Sequence, residues 1–325
     1  MPIADLPLSA LRTHVTEVAE PDALDAFWTG TLAAAKTFDL DATFEPAETP
    51  LTSVQTFDVA FNGFGGDRIR GWLHLPRDLR GPLPCVVEYM GYGCGRGVSH
   101  QYVFWASAGF AHLVMDNRGQ GATWSVGDTP DPGLGASSYP GVVTSGIRSP
   151  DEYYYRRLYV DAVRAVDAAM THDGIDPARV AVAGGSQGGA LAIVSAALRD
   201  DVFAVLADVP FMSDILRAVE IADSLPYIEI KQYLSIHRDQ VEAARRTLGF
   251  FDAAFLARRA TAPALFSVGL MDPICPPSTV YAAYNAYAGE RQIVEYPYNE
   301  HDGGGVHHDV VKVEWLRTHL GRVPL

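Results

Sequence analysis

The chain has 325 residues, 48% apolar and 20% charged, an ordinary globular composition that excludes disorder, which needs low hydrophobicity and dense charge. With 25 Lys and Arg against 39 Asp and Glu, the formal net charge is −14. That argues against a nucleic-acid partner or an anionic membrane surface, both of which require a basic face.

Along the chain, the first residues lack the basic and apolar regions of a secretory signal. No stretch approaches the ~20 apolar residues of a membrane span. Residues 7–36 read as helical, with Leu8, Leu11, Val15, Val18, Leu24, Phe27, Trp28 and Leu32 at helical spacing, inside an N-terminal extension of about 1–50. Two β-rich runs follow, Val54–Phe61 and Arg68–Leu75. In the second, Ile69, Gly71, Leu73 and Leu75 alternate with Arg68, Arg70, Trp72 and His74, as a half-exposed antiparallel pair should.

The pattern then changes to short apolar runs: Cys85–Tyr89, Ala111–Met115, Val180–Ala183, Ala204–Ala207, Ala264–Val268 and Ile293–Tyr296. Each reads as a strand buried on both faces. Helical segments near 100–108, 152–172, 187–199, 277–288 and 309–320 separate or follow them. Strands alternating with helices define a doubly wound, mostly parallel α/β sheet with an antiparallel N-terminal edge. Residues 122–150 form a long connection rich in Gly, Pro, Ser and Thr. Residues 209–262 carry helical patterns without a strand, a helical insertion suited to a lid. Cys85, Cys94 and Cys275 are odd in number and widely spaced, so neither a disulfide framework nor a Cys-x-x-Cys site is expected. The expectation is one cytoplasmic domain spanning 1–325.

The most informative segment is Gly184-Gly185-Ser186-Gln187-Gly188, a Gly-x-Ser-x-Gly turn between an apolar strand and an apolar helix. A serine on so sharp a turn stands exposed above the sheet, and the Gln187 N–H at the helix start faces a developing oxyanion. The Gly-x-Gly-x-x-Gly of a dinucleotide fold is absent here. A serine needs a histidine base, and the histidine an orienting carboxylate. In this α/β-hydrolase arrangement they follow as acid and then histidine, after later strands. Asp272 follows Ala264–Val268 and His301 follows Ile293–Tyr296. The rivals His307 and His308, near the start of the last helix, are expected to be solvated. A metal held by His301, Asp302, His307, His308 and Asp309 is the weaker alternative, since these residues lack helical ligand spacing. No metal or cofactor is expected. The second oxyanion donor belongs to the glycine-rich loop Met90-Gly91-Tyr92-Gly93-Cys94-Gly95, with the Tyr92 N–H as the chosen group.

Arg118-Gly119-Gln120-Gly121, the Ser186 elbow, and Gly269-Leu270-Met271-Asp272 with Cys275-Pro276-Pro277-Ser278 together resemble the acetyl xylan esterase / cephalosporin-C deacetylase family, carbohydrate esterase family 7. So do Phe27-Trp28, Tyr153-Tyr154-Tyr155-Arg156-Arg157 and Leu225-Pro226-Tyr227, and the likeness covers nearly the whole chain. It implies an α/β-hydrolase that removes acetyl groups from xylo-oligosaccharides and from antibiotics such as cephalosporin C. By the same resemblance, Ser186, Asp272 and His301 form the triad, and Tyr92 and Gln187 the oxyanion hole. Pro226, with Tyr92, narrows the acyl pocket, while Arg118 and Gln120 brace the loops. Family members are usually hexamers that meet through an extended loop, here 122–150. This chain departs from the pattern with Asp302 after His301 where the family has Glu, with Met90 in place of a His, and across 133–138. The alternatives are another serine hydrolase of this fold (a lactonase or peptidase) and an inactive hydrolase fold used for binding.

Overall fold

The computed structural model describes residues 5–321 apart from 79, 133, 136, 137, 139 and 140. Half of the divergent 133–138 stretch therefore lies outside the described residues. Nine strands, β1 (Thr43–Ala47), β2 (Val54–Asn62), β3 (Arg68–Pro76), β4 (Leu83–Tyr89), β5 (Ala111–Met115), β6 (Ile175–Gly185), β7 (Ala204–Asp208), β8 (Ala264–Gly269) and β9 (Arg291–Tyr296), form one sheet in the order β1-β2-β3-β5-β4-β6-β7-β8-β9. Strands β1, β2 and β3 pair antiparallel, β3 also joins β5 antiparallel, and every pair from β5 to β9 is parallel. This is the α/β-hydrolase fold.

The helices are α1 (Leu8–Leu11), α2 (Leu24–Ala35), α3 (Phe104–Ser107), α4 (Tyr154–Met170), α5 (Gln187–Ala197), α6 (Ile215–Ile221), α7 (Tyr227–Ile236), α8 (Val241–Gly249), α9 (Ala253–Leu256), α10 (Pro277–Ala286) and α11 (Gly305–His319). Alternate residues of the central strands feed different cores, as a period of two requires. Val87, Tyr89, Val180, Val182 and Val205 pack with α4 and α5 in the larger cluster. Val86, Ala181, Ala183, Leu206 and Leu265 pack with Trp105, Phe110, Val313 and Leu316 in the smaller. No helix among the described residues is long and apolar enough to cross a membrane.

Several elements differ from the sequence reading. The expected helix over 7–36 is broken into α1 and α2. Pro21 disfavours helical geometry at Glu20, and the intervening chain is tied down by Asn285, whose Nδ2 donates to the carbonyls of Leu11 and His14. Strand β1 was hidden by Pro46, which an edge strand tolerates. Strand β9 is the other edge and is only half-buried, whereas its composition suggested burial on both faces. His74, on the outward face of β3, is buried, with Nδ1 against the Thr56 hydroxyl at 3.0 Å.

Strands β4 and β6 are neighbours, while β4 continues through α3 to β5 on its other side. The chain thus diverges at the carboxyl ends of β4 and β6, where open α/β sheets leave a crevice for ligands. The glycine-rich loop follows β4 and the Ser186 turn follows β6.

Candidate active site

Ser186 joins β6 to α5 with φ 58° and ψ −119°, a strained conformation for a residue with a side chain. Its N–H donates to the Asp208 carbonyl at 2.9 Å, and its own carbonyl accepts from the Phe211 N–H at 2.9 Å. The flanking glycines are required by close approach. A Cβ on Gly184 would meet the Gly188 backbone at 2.5 Å, and one on Gly188 would meet the Tyr89 carbonyl at 2.0 Å. The contact at Gly188 also sets the elbow directly against the end of β4.

Asp272 and His301 are brought together. The His301 Nδ1–H donates to Asp272 Oδ2 at 2.8 Å, which leaves Nε2 as the acceptor nitrogen. The other Asp272 oxygen accepts the N–H groups of Ile274 and Cys275 at 2.8 and 3.0 Å. The Asp272 side chain is fully buried, while His301 keeps an exposed edge. Among the described residues no hydrogen bond joins Ser186 Oγ to His301. The serine hydroxyl instead lies against the buried Cys275 thiol, which burial and nearby Asp272 push well above its usual pKa. A nucleophile–base bond of this kind often tightens only around a bound substrate.

Gln187 is buried, and its side chain is held at both ends. Oε1 accepts from the Tyr155 hydroxyl at 2.9 Å and from Gln120 Nε2 at 3.2 Å, while Nε2 donates to the Met90 carbonyl at 3.2 Å. Gln120 reaches the other loop as well, with Oε1 accepting the Gly93 N–H at 2.6 Å. One amide side chain therefore ties the Tyr92 loop to the residue after Ser186. Among the described residues no acceptor takes the backbone N–H of Tyr92 or Gln187. Arg118 stands a layer further back. Its fully buried guanidinium pairs bidentately with Asp161 at 2.5 and 2.8 Å and also reaches Asp67 and Asp131, and its carbonyl accepts from the Tyr154 hydroxyl at 2.6 Å. Pro226, buried after a cis peptide bond, precedes α7.

Several residues of this region carried no sequence signal. Asn117 Nδ2 donates to the carbonyls of Met90, Gly91 and Cys94 at 3.2, 3.2 and 2.9 Å, pinning the glycine-rich loop from below. Beside the elbow, Asp208 accepts from Ser267 Oγ at 3.0 Å and pairs with Lys312 Nζ at 2.7 Å. His308, expected in solvent, is buried instead, with Nε2 3.1 Å from Asp208 and Nδ1 2.9 Å from the Tyr296 hydroxyl. The reason is helical phase: α11 begins at Gly305, earlier than its apolar pattern suggests, and turns His308 inward while His307 stays exposed. Asp302 bonds Asn299 Nδ2 at 2.8 Å. Among the described residues, no group of three or more His, Cys, Asp or Glu side chains is placed to hold a metal ion.

A strained serine turn at the diverging strands of a doubly wound sheet, with a hydrogen-bonded Asp–His pair on the loops after β8 and β9, places the chain among the α/β-hydrolases. More narrowly, it belongs to the acetyl xylan esterase (AXE1) family, whose model matches residues 1–319. The acetyl xylan esterase from Paenibacillus sp. R4 superposes with a TM-score of 0.89 at 36% identity, over 96% of this chain and 99% of that one. Acetyl xylan esterase 1 from Thermoanaerobacterium sp. JW/SL YS485 gives 0.86 at 29% identity, over 97% and 99%. The acetyl esterase Axe7A of Xylanibacter ruminicola is 28% identical over 288 residues, 86% of this chain. The chain spans 63% of the length of that relative.

Proposed function

We propose that this chain is a serine esterase that removes acetyl groups from acetylated xylo-oligosaccharides and related small acetyl esters, cephalosporin C among them. The observation that carries the reading is the His301–Asp272 hydrogen bond, made between the loops that follow β8 and β9. It favours the tautomer in which Nε2 can take a proton, as a histidine that activates a neutral serine must. The names of the relatives, which speak of acetyl esters and acetyl xylan, supply the substrate class.

In this reaction Ser186 Oγ attacks the acetyl carbonyl as its proton passes to His301 Nε2. The negative charge that develops on the carbonyl oxygen is met by the N–H groups of Tyr92 and Gln187. Collapse breaks the ester bond, and His301 returns the proton to the departing sugar oxygen. A water then gives its proton to His301 and attacks the acetyl-serine, releasing acetate and restoring Ser186. Pro226 and the Tyr92 ring bound the acyl side and favour a short acid. The reading extends to a homo-oligomer, a hexamer by family resemblance. Trp124 and Val126, exposed at 84% and 54% on the 122–150 connection, support a covered face there. Three free, buried cysteines suit a cytoplasmic setting.

The test is acetate release from acetylated xylo-oligosaccharides and from cephalosporin C, with acetyl and butyryl aryl esters compared alongside. Release from the sugar and a clear preference for acetyl are expected. Inertness toward every acetyl ester would sink the proposal, and equal rates on butyryl would sink its acyl selectivity. Faster turnover of lactones or peptides would transfer the site to another hydrolase class. Light scattering in solution checks the oligomer, and a monomer would contradict it.

A further inference from the structure

The Tyr92 side chain makes contacts that its part in the proposed reaction does not require. Its hydroxyl donates to Glu229 on α7, 3.0 Å from Oε2 and 3.2 Å from Oε1. The same oxygen accepts the N–H of Gly141 at 2.9 Å and, more weakly, that of Val143 at 3.4 Å. One phenol thus joins three segments far apart in sequence: the glycine-rich loop after β4, the 141–143 turn and the first turn of α7. Burial and the neighbouring carboxylate push the phenol well above its usual pKa, so it stays protonated and the direction of donation is fixed. The ring below packs on Phe211 with centroids 6.2 Å apart, and Phe211 packs on Tyr227 at 4.6 Å. Since the Phe211 N–H donates to the Ser186 carbonyl, the circuit closes on the nucleophile turn.

We infer that Glu229 is a positioning residue: by holding the Tyr92 hydroxyl, its carboxylate fixes the backbone of the oxyanion loop and couples α7 to it. The inference rests on the proposed esterase reaction, in which the Tyr92 N–H must meet an oxygen at a set place. Asn117 and Gln120 hold this loop from below and beside, through Met90, Gly91, Cys94 and Gly93. Tyr92 itself is held from above, by Glu229 and the 141–143 turn. A donor free to swing by a fraction of an ångström stabilises the transition state less, while binding of the ground-state ester scarcely changes.

The experiment compares Glu229→Ala, Glu229→Gln, Tyr92→Phe and the double variant Glu229→Ala/Tyr92→Phe on an acetyl aryl ester, with melting temperatures taken to confirm folding. Glu229→Ala should lower kcat about 10-fold with KM within about twofold, short of the ~100- to 1000-fold that losing a donor outright costs. Glutamine retains an acceptor oxygen, so Glu229→Gln should keep most of the activity. Tyr92→Phe keeps the ring and the N–H but loses the Gly141 and Val143 bonds together with the Glu229 bond, so it should lower kcat at least as much as Glu229→Ala. The double variant should be no slower than Tyr92→Phe alone, because the Glu229 bond is already gone there. Unchanged kcat in Glu229→Ala, equal losses in the alanine and glutamine variants, or multiplied losses in the double variant would overturn the inference while leaving the esterase reading in place. An inert wild type would overturn both.

Discussion

The two halves of the proposed site, an oxyanion side and a base side, are held by different kinds of bond. On the oxyanion side the immediate contacts are mostly amides, carbonyls and phenols: Gln120 to Gly93 and Gln187, Tyr155 to Gln187, and Asn117 to three loop carbonyls. On the base side the contacts involve ionisable groups: His301 to Asp272, then Asp208 with Lys312 and His308, which anchor α11 just beyond the His301 turn. The oxyanion side is also buried and cross-braced, while His301 keeps an exposed edge on a turn that includes the 93% exposed Tyr298. The difference suits the two proposed tasks. Donors that stabilise charge work best when fixed in advance, whereas a base must exchange protons with both substrate and water.

The largest effect should come from breaking the base side at its orienting bond. Asp272→Asn can hold the imidazole in place but favours the wrong tautomer, and a loss of about 10⁴-fold in kcat is expected, with the pH profile as the check. A loss of only a few-fold would mean that Asp272 does not orient the base. Next is Gln120→Ala, which frees the Gly93 N–H and removes a partner of Gln187. A kcat loss of about 10- to 100-fold is expected with KM little changed, since both donors loosen together. If KM rose instead with kcat intact, Gln120 would serve substrate binding and the oxyanion side would not be the braced half.

The Ser186 turn and the turns that carry Asp272 and His301 were legible in the sequence because each is a local signal: glycines around a serine, or a polar turn ending an apolar run. The strand–helix alternation was legible for the same reason, apart from β1, where Pro46 broke the pattern. The bracing was not. Tyr92 and Glu229 lie 137 positions apart, Asn117 and the loop it pins lie on successive strand ends, and nothing in the Asp208 or His308 neighbourhoods announces their pairing. Such contacts come from strand order, and one helical phase error at α11 was enough to send His308 to solvent.

A smaller effect on rate, and a larger one on stability, should sharpen the contrast from the other end. Burial alone would raise the Asp208 pKa, but Lys312 and His308 outweigh it and hold the carboxyl well below the usual range. A carboxylate depressed in the folded state adds stability that is fully present above its unfolded pKa, 3.8. That stability is lost as pH falls through the folded value. The wild-type melting temperature should therefore fall as pH drops below about 4, more steeply than in Asp208→Asn. The variant should already be weaker by about 3 kcal/mol at neutral pH, because it leaves Lys312 buried with less opposing charge. Parallel melting curves for the two proteins across pH 3 to 8 would remove the anchor from the account.

The central claim is that Ser186 carries the acetyl group between two half-reactions. Rapid acid quenching during turnover of an acetyl aryl ester, followed by peptide mass spectrometry, tests it most directly. The account predicts an acetyl adduct on the peptide containing Ser186, absent in Ser186→Ala together with the activity. Acetate release that persists in Ser186→Ala, or an adduct on another residue, would contradict it.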